Sequence, residues 1–499
     1  MKIEIIKRRP QALDCDMLII PLFSDTKRPS EVFIEIDEVL HGALQQAVQY
    51  DQFVAKLGVS LILPTLGHLP AKKIVLLGLG EKKGIKADTW RKAGAYLVKL
   101  ASQQKAKQIV CSFLPVEAQG FSQAIESLTE GAYLSAYRFH IYHGRLRKME
   151  TERQSVERLG VCISTDKEKR LASDAIERSR TLTEATCVAR DLVNTTSQHL
   201  APKQMVEAAK QVVGKNIELH VMDKKHMEEL GMGAALSVSA GSIEEPYGVH
   251  LTYKNRKAKK RIAIVGKAVT FDSGGLSLKP AEAMMGMKMD MSGGATVIGI
   301  FKALSAMKLN VEVHGIFIAV ENMPSGSAYR PGDVVTAMDG TTIEIHNTDA
   351  EGRVTLADAI AYAKTLEPDM IIDIATLTGA CIAALGDDIA GLFSNNVRLT
   401  ERLKAASEKT GESIWEMPMP PQYMEFVKSP IADLKNVGKK GSAGSIAGAM
   451  FLKPFAGDTP WAHLDIAGPA YVERETRPDM PYGGTGFGVR LLTEFLERF

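Results

Sequence analysis

The chain has 499 residues, 45% of them hydrophobic, and its 61 basic and 59 acidic side chains leave a formal net charge of +2. This length and composition predict a globular protein with room for two domains. Because the charges nearly balance, there is no bulk attraction to nucleic acid or to a membrane surface, which argues against either kind of binding as the main function.

The start of the chain and the cysteines indicate where the protein works. The first ten residues carry charges but no following apolar run, so they do not resemble a signal peptide. No uninterrupted apolar run approaches the roughly 18 residues that a membrane helix needs. The five cysteines are widely spaced and include no C-x-x-C pair, which favours reduced thiols. We therefore predict a cytoplasmic protein without membrane association.

The N-terminal third alternates predicted strands with predicted helices. Apolar runs rich in β-branched residues predict strands at 17–22, 74–77, 108–113 and 160–164. Amphipathic spacing predicts helices at 89–103 and 121–133. This alternation is typical of a small α/β domain, which we place at residues 1–165. Gly78 and Gly80 lie where a dinucleotide-binding turn would start, but the third glycine is out of register, so we predict only a tight turn.

A charge-rich, helix-prone segment follows at 166–193, and its apolar residues fall on one face, so we predict a linking helix. Residues 194–499 form the second predicted domain. Within it, the apolar run 262–266 is typical of a buried parallel strand, which we expect to end at Lys267. We therefore predict a second α/β domain built on a central, mostly parallel or mixed sheet.

Acidic residues follow this strand in two steps. Asp272 comes directly before a pair of glycines, and Asp290 lies in a predicted loop of methionines and glycines, 287–294. In open α/β sheets, ligands bind beyond the carboxyl ends of the strands, where both residues are expected.

A second acidic group lies in the run from Asn347 to Arg353, between a predicted strand at 341–345 and a predicted helix at 354–366. In extended backbone, residues two apart point to the same side, so we expect Asp349 and Glu351 to direct both carboxylates to one point. Gly352 would then permit the turn into the helix. On its own, such a pair is more often a solvated acidic turn.

Together the two groups supply four carboxylates, whose charge two divalent cations would neutralise. These loops contain no Cys or His ligand between them, and oxygen-rich ligation suits Mn, Mg or Zn better than a thiolate-bound structural zinc. The residues therefore predict a metal site, although a two-metal phosphatase or nuclease would need similar clusters.

Six motifs occur in one order along the chain: VGKAVTFDSGGLSLKP, MKMDMSGGA, ENMPSGSAYRPGD, NTDAEGRVTLADAIAYA, ATLTGA and HLDIAG. They resemble the cytosol (leucyl) aminopeptidase family of two-metal exopeptidases, and the resemblance covers roughly residues 180 to 499. It implies a catalytic domain that releases N-terminal residues, preferably Leu and other apolar ones, from peptides by attack of a water held by two metal ions.

The resemblance also assigns metal ligands. It implies that Asp272 and Glu351 bridge two ions, Mn or Zn, that Asp349 completes one site, and that Lys267 with Asp290 completes the other. A lysine ligand must be neutral, and the adjoining dications would lower its pKa.

Further roles follow from the same resemblance. Lys279 would stabilise the negative charge on the tetrahedral oxygen, and Arg353 would hold a bicarbonate ion that acts as general base. From the sequence alone, Arg353 could equally pair with an acid of its own loop. The side-chain pocket would be lined by Met287, Thr376, Gly379 and Ala467, which are apolar or small and would equally suit a buried core. The family further implies a homo-hexamer of two stacked trimers.

Other functions are less consistent with the sequence. No G-x-S-x-G elbow and no H-E-x-x-H motif occurs, which disfavours a serine hydrolase and a zincin. A DNA-binding or scaffolding protein on the same fold, with or without peptidase activity, is the alternative, because some bacterial relatives bind DNA. Nucleic acid is not favoured by the charge balance. The glycine- and serine-rich run 438–448 is interpreted either as a flexible loop near the substrate cleft or as a surface loop.

Overall fold

A computed structural model describes residues 1–26, 28–117, 119–147 and 156–499. The chain forms two compact units, one made of Met1–Thr183 with Arg474–Pro481 and the other of Glu184–Glu473 with Tyr482–Phe499. The first unit's main segment ends at Thr183 and the second begins at Glu184, and both residues lie in one long helix, Asp166–Asn194. The domain boundaries predicted at residues 165 and 193 stay predictions.

The first unit is a six-stranded sheet with helices. Its strands are β1 (Lys2–Ile6), β2 (Met17–Leu22), β3 (Ser60–Pro64), β4 (Lys73–Gly78), β5 (Gln108–Cys111) and β6 (Arg158–Cys162). Its helices are α1 (Glu31–Val39), α2 (Ala43–Tyr50), α3 (Ala87–Gln103) and α4 (Phe121–Ala136), and the long helix is α5. The strand order is β1-β6-β5-β2-β4-β3, and only β3 runs antiparallel to its neighbour.

The second unit contains the larger sheet. Its strands are β7 (Ile217–Met222), β8 (Tyr247–Tyr253), β9 (Arg261–Asp272), β10 (Glu312–Asn322), β11 (Val334–Thr336), β12 (Thr342–Glu344), β13 (Met370–Ala375), β14 (Ile389–Ser394), β15 (Ser413–Glu416), β16 (Leu434–Lys435), β17 (Trp461–Asp465), β18 (Tyr471–Val472) and β19 (Gly483–Gly484). Its helices are α6 (Pro202–Lys210), α7 (Lys224–Glu229), α8 (Gly233–Ser239), α9 (Ala281–Met284), α10 (Ser292–Ala306), α11 (Glu351–Thr365), α12 (Gly379–Leu385), α13 (Val397–Thr410), α14 (Gly444–Ala456) and α15 (Val489–Leu496). Short 3-10 turns occupy Pro10–Ala12 in the first unit, and Met287–Met291 and Pro421–Phe426 in the second.

Eight strands form the main sheet of this unit in the order β15-β14-β17-β13-β9-β10-β8-β7. The central four, β17, β13, β9 and β10, are mutually parallel, while β8, β7 and the β14–β17 pair add antiparallel contacts. The run Ile262–Gly266 of β9 is fully buried, as a parallel strand covered on both faces requires. The predicted mixed α/β fold, with a smaller N-terminal α/β part, is confirmed.

Two local predictions were wrong. Strand β9 does not end at Lys267 but continues to Asp272, because β10 pairs with it along this whole length. The segment 287–294 is not a loop but a 3-10 turn that runs into helix α10. Gly293 lies inside this helix. A Cβ at this position would come within 2.1 Å of the backbone oxygen of Ile374, so only a glycine allows the helix to pack this closely on the sheet.

Within the described part of the chain, no helix is both long and apolar enough to cross a membrane.

Candidate metal centre and substrate pocket

Three buried carboxylates converge beside the central sheet. Asp272 ends β9, Asp290 lies in the 3-10 turn before α10, and Glu351 is the first residue of α11. Each offers one oxygen, and these oxygens lie within 4.8 Å of one another. All three side chains are at least 95% buried. Burying three carboxylates this close together requires positive charge between them.

Lys267 supplies part of that charge. It lies in the middle of β9, and its Nζ is 2.7 Å from Asp290 and 2.8 Å from Glu351, with the backbone oxygen of Thr376 at 3.1 Å. Burial lowers the pKa of Lys267, but the nearby carboxylates outweigh this effect and hold its pKa above the ordinary value. Among the protein's own groups, Lys267 is therefore an ammonium.

Lys279 joins the fourth carboxylate to the cluster. Its Nζ is 2.8 Å from Asp272 and 2.5 Å from Asp349, so each lysine lies between two carboxylates. Asp349 is the most exposed of the four acids, with 32% of its side chain accessible. Burial lowers the pKa of Lys279, but Asp272 and Asp349 raise it by more than burial lowers it, so its pKa also lies above the ordinary value. Four carboxylates thus face two ammonium groups.

The cluster retains unbalanced charge and unused ligand atoms. Burial raises the pKa of Asp290, Asp272 and Asp349, and neighbouring carboxylates add to the shift. Oε2 of Glu351 is buried and accepts no hydrogen bond from any described residue. A buried carboxylate oxygen without a donor, in a group of oxygens with excess negative charge, fits a divalent cation with oxygen ligands. The residues present therefore fit the metals predicted from the sequence.

The backbone at Glu351 differs from the prediction. Asp349 lies in a turn, whereas Glu351 already belongs to α11, so the two carboxylates do not converge by the alternation of an extended strand. Gly352 does not make the turn either, since it lies within the helix. A Cβ at Gly352 would come within 2.4 Å of Cε of Lys267. The glycine is needed because the lysine side chain passes directly over it.

Residues outside the predicted site hold the acids in place. The side-chain amide of Asn322, at the end of β10, donates to Oδ1 of Asp272 at 2.8 Å and to the backbone oxygen of Thr348 at 3.0 Å. The hydroxyl of Tyr329 donates to the same backbone oxygen at 2.9 Å. Asn322 thus connects β9 with the loop that carries Asp349. Both residues lie in the ENMPSGSAYRPGD motif, but nothing in their spacing identifies this role.

All of the predicted site residues line one cavity of about 280 Å³. It is lined by the five predicted metal ligands, by Lys279 and Arg353, and by Met287, Thr376, Gly379 and Ala467. The sequence-based prediction missed other lining residues, among them Ala283, Met289, Leu377, Thr378 and Ile382. Two of these, Leu377 and Thr378, belong to the ATLTGA motif. The predicted set is therefore brought together, although its roles stay predictions.

Arg353 lies on the first turn of α11, and its side chain is buried at 8% exposure. Burial lowers its pKa, while the charges of Glu351 and Asp465 oppose that shift. Its Nε has no hydrogen-bond acceptor among the described residues. The glycine- and serine-rich run 438–448 borders Arg353, because a Cβ added at Gly448 would lie 3.7 Å from Nη2 of the guanidinium. This run is not wholly a loop, since α14 begins at Gly444.

Comparisons with known proteins identify the family. Residues 187–493 match the catalytic domain of the cytosol aminopeptidase family, and residues 19–145 match the N-terminal domain of the same family. A probable cytosol aminopeptidase of Rippkaea orientalis is 40% identical over 487 residues, which is 97% of each chain. One from a Geobacter species is 39% identical over the full length of both chains.

Solved structures show the same fold. A point mutant of tomato leucine aminopeptidase has a TM-score of 0.89 at 32% identity, covering 100% of this chain and 97% of that one. The bottromycin maturation enzyme BotP in complex with Mn has a TM-score of 0.83 at 33% identity, covering 97% and 99%.

Proposed function

The chain belongs to the cytosol aminopeptidase family of metal-dependent aminopeptidases, and we propose that it releases N-terminal amino acids, preferably Leu and other apolar residues, with two metal ions. The observation that carries this proposal is the buried group of Asp272, Asp290 and Glu351, which lines one cavity with both lysines and the small apolar residues. A structural ion-pair network would not need an open cavity at its centre.

We infer that Asp272, Asp290, Asp349 and Glu351 would hold the two ions, together with Lys267 in its neutral form. The unpartnered oxygen of Glu351 supports its assignment as a ligand. Mn is supported by the structural neighbour solved with that metal, and Zn by the preference of that ion for similar donors. When bound, the two ions supply Lewis-acid activation of the water that attacks the scissile carbonyl.

We propose that Lys279 acts on the reacting carbonyl. Its Nζ reaches into the cavity between Asp272 and Asp349, and its raised pKa keeps it cationic at neutral pH. A fixed cation at this point stabilises the negative charge that develops on the carbonyl oxygen, and it does so more strongly in a buried site than in water. We propose this as its catalytic role.

Arg353 is proposed to hold bicarbonate. Its guanidinium lines the cavity, and its Nε has no acceptor in the described residues, so a donor is left for a small anion. A bicarbonate held there would accept the proton of the attacking water. Burial lowers the pKa of the guanidinium, and the charges of Glu351 and Asp465 oppose that shift.

The cavity supports the proposed substrate class. Met287, Thr376, Gly379 and Ala467 present methyl, thioether and hydrogen surfaces, which suit a Leu or Met side chain better than a charged one. The resemblance implies that the free α-amino group of the substrate, in its neutral form, would bind one of the ions. That contact would explain a preference for the N-terminus of a peptide over its interior.

The test compares leucine amide with N-acetyl leucine amide. We expect the purified chain to hydrolyse only the substrate with a free amine, to lose this activity with a chelator, and to recover it with manganese. Cleavage of neither substrate by protein that binds manganese would overturn the aminopeptidase proposal. Equal cleavage of both would overturn the proposed role of the free amine.

The remaining proposals rest on the relatives. A cytoplasmic location is proposed from curated relatives named cytosol aminopeptidases. A homo-hexamer is proposed from the family resemblance, and light scattering of the purified chain measures it directly.

A further inference from the structure

Asp465 lies outside the predicted site and is fully buried at the carboxyl end of β17. Its Oδ1 accepts hydrogen bonds from the backbone N–H groups of Leu377 at 3.2 Å, Thr378 at 3.4 Å and Ala467 at 3.2 Å. Its Oδ2 accepts one from the hydroxyl of Thr378 at 2.6 Å. A single carboxylate therefore ties together two separate stretches of backbone, about ninety residues apart in the chain.

Both stretches are walls of the substrate cavity. The turn from Thr376 to Gly379 and the residue Ala467 line it, whereas Asp465 is not one of the described residues that do so. The other end of the turn is fixed to the carboxylate cluster, because the hydroxyl of Thr376 donates to Asp290 at 2.8 Å. The position of this wall is thus set at one end by the cluster and at the other by Asp465.

We propose that Asp465 is a positioning residue that sets the width of the pocket for the first substrate side chain, and thereby the preference for Leu over smaller residues. The inference rests on the proposed function, because it assigns this cavity to the first substrate residue. The bond from the Thr378 hydroxyl, at 2.6 Å, is the short one of the four. Hydrogen bonds to a charged carboxylate are roughly twice as strong as neutral ones, so an uncharged replacement holds the two stretches less firmly.

The hydroxyl of Thr378 gives a milder perturbation. It donates to Asp465, and it also caps α12 by accepting from the backbone N–H of Cys381 at 3.1 Å. Thr378→Val removes the hydroxyl with little change in volume and leaves the carboxylate charged. Thr378→Ser keeps the hydroxyl and is the conservative rescue.

Asp373 provides a matched control. It is equally buried on the neighbouring strand β13, where it accepts from the indole N–H of Trp461 at 2.7 Å and pairs with His463. It does not line the cavity, within the residues that the structure describes. Asp373→Asn therefore tests the loss of a buried carboxylate without moving the pocket walls.

The experiment measures the affinity of the manganese-loaded full chain for L-leucine and for L-alanine by calorimetry, together with hydrolysis of the two amides. We expect the ratio of leucine to alanine affinity to fall about 10-fold in Asp465→Asn and in Thr378→Val, as a loosened apolar pocket discriminates less. Asp373→Asn should keep the wild-type ratio, Thr378→Ser should have a ratio closer to the wild type than Thr378→Val has, and manganese affinity should be unchanged in Thr378→Val.

A wild-type ratio in Thr378→Val and Asp465→Asn would overturn the positioning role. If Asp465→Asn does not fold, Thr378→Val with its serine rescue decides the question. Failure of the proposed function gives a different result from failure of the positioning role, because the wild-type chain would then hydrolyse neither amide. The ratio of leucine to alanine affinity would still report on the width of the pocket.

Discussion

Replacing Gly352 by alanine tests the central geometry of the site, since it adds one methyl group beneath Lys267. The new Cβ would lie 2.4 Å from Cε, 2.6 Å from Nζ and 2.8 Å from Cδ of that lysine, whereas ordinary contacts begin at 3.4 Å. The lysine must therefore move by about 1 Å. It cannot move freely, because it is 4% exposed and its Nζ contacts Asp290, Glu351 and the backbone oxygen of Thr376.

The expected magnitudes follow from these contacts. Overpacking costs about 1–3 kcal/mol, and losing one charged hydrogen bond costs about 1.5–3 kcal/mol. Alanine regains about 1 kcal/mol of helix propensity over glycine. We expect a net destabilisation of about 1.5–5 kcal/mol from these terms. A displacement of about 1 Å at the site should also lower kcat/KM about 10²-fold.

The assay measures manganese affinity, kcat/KM for leucine amide and the denaturation midpoint of Gly352→Ala. The matched control for metal affinity is Gly379→Ala. It also adds a methyl to the first turn of a helix beside the cavity, but a Cβ there meets no atom within 4 Å. We expect weakened manganese binding only in Gly352→Ala. If that variant binds manganese and turns over substrate like the wild type, the assignment of Lys267 to the site is refuted.

Four further changes have defined outcomes. Glu351→Gln should abolish turnover, since it removes the charge of a proposed metal ligand, and a variant with near-normal rates would remove Glu351 from the site. Lys279→Ala should lower kcat about 10²-fold, as loss of an oxyanion donor does, whereas a change in KM alone would make Lys279 a binding residue. Gly379→Ala should lower kcat/KM for leucine amide more than for alanine amide, because the added methyl projects into open cavity, and an unchanged ratio would contradict that view. Burial raises the pKa of Asp358 to about 7, so the folded chain keeps a proton that the unfolded chain releases near pH 4. The stability that this bound proton contributes is then lost as pH rises from about 4 to about 7. The melting temperature of the wild type should therefore fall relative to that of Asp358→Asn between about pH 5 and pH 8. A difference between the two melting temperatures that stays constant over this range would refute the prediction.

Local sequence patterns predicted the regular elements well where burial alone determines them. The strand at 17–22 coincides with β2, and the helices at 89–103 and 121–133 lie within or match α3 and α4 to a few residues. In each case an apolar run or an amphipathic face meets the core that it packs against, so local periodicity and tertiary packing require the same structure.

Patterns failed where a distant side chain decides the local backbone. Glycine between two polar residues is typical of a turn, so the sequence predicts a turn at Gly352. Its position in a helix depends on Lys267, some 85 residues earlier in the chain, which passes over it. The 3-10 turn and the start of α10 within 287–294 were missed for a related reason, since Gly293 allows close packing against β13 and β9 and does not break the helix.

The site shows the same division. The acids and lysines could be named from the motifs, because chemistry restricts which residue types serve as ligands. Asn322, which holds Asp272, and Asp465, which holds a wall of the cavity, also lie in two of the motifs, but nothing in their spacing identifies these roles. Their roles depend on contacts with Asp272 and with the turn at Thr376–Gly379, which only the three-dimensional arrangement reveals.

The most direct measurement is the number of divalent ions bound per chain, obtained by titrating chelator-treated protein with manganese while following hydrolysis of leucine amide. We predict two ions per chain in the wild type, with activity appearing as they bind, and fewer ions with no activity in Glu351→Gln. Full activity in protein that holds no divalent ion, or unchanged binding by Glu351→Gln, would contradict a metal centre built on Asp272, Asp290, Asp349 and Glu351.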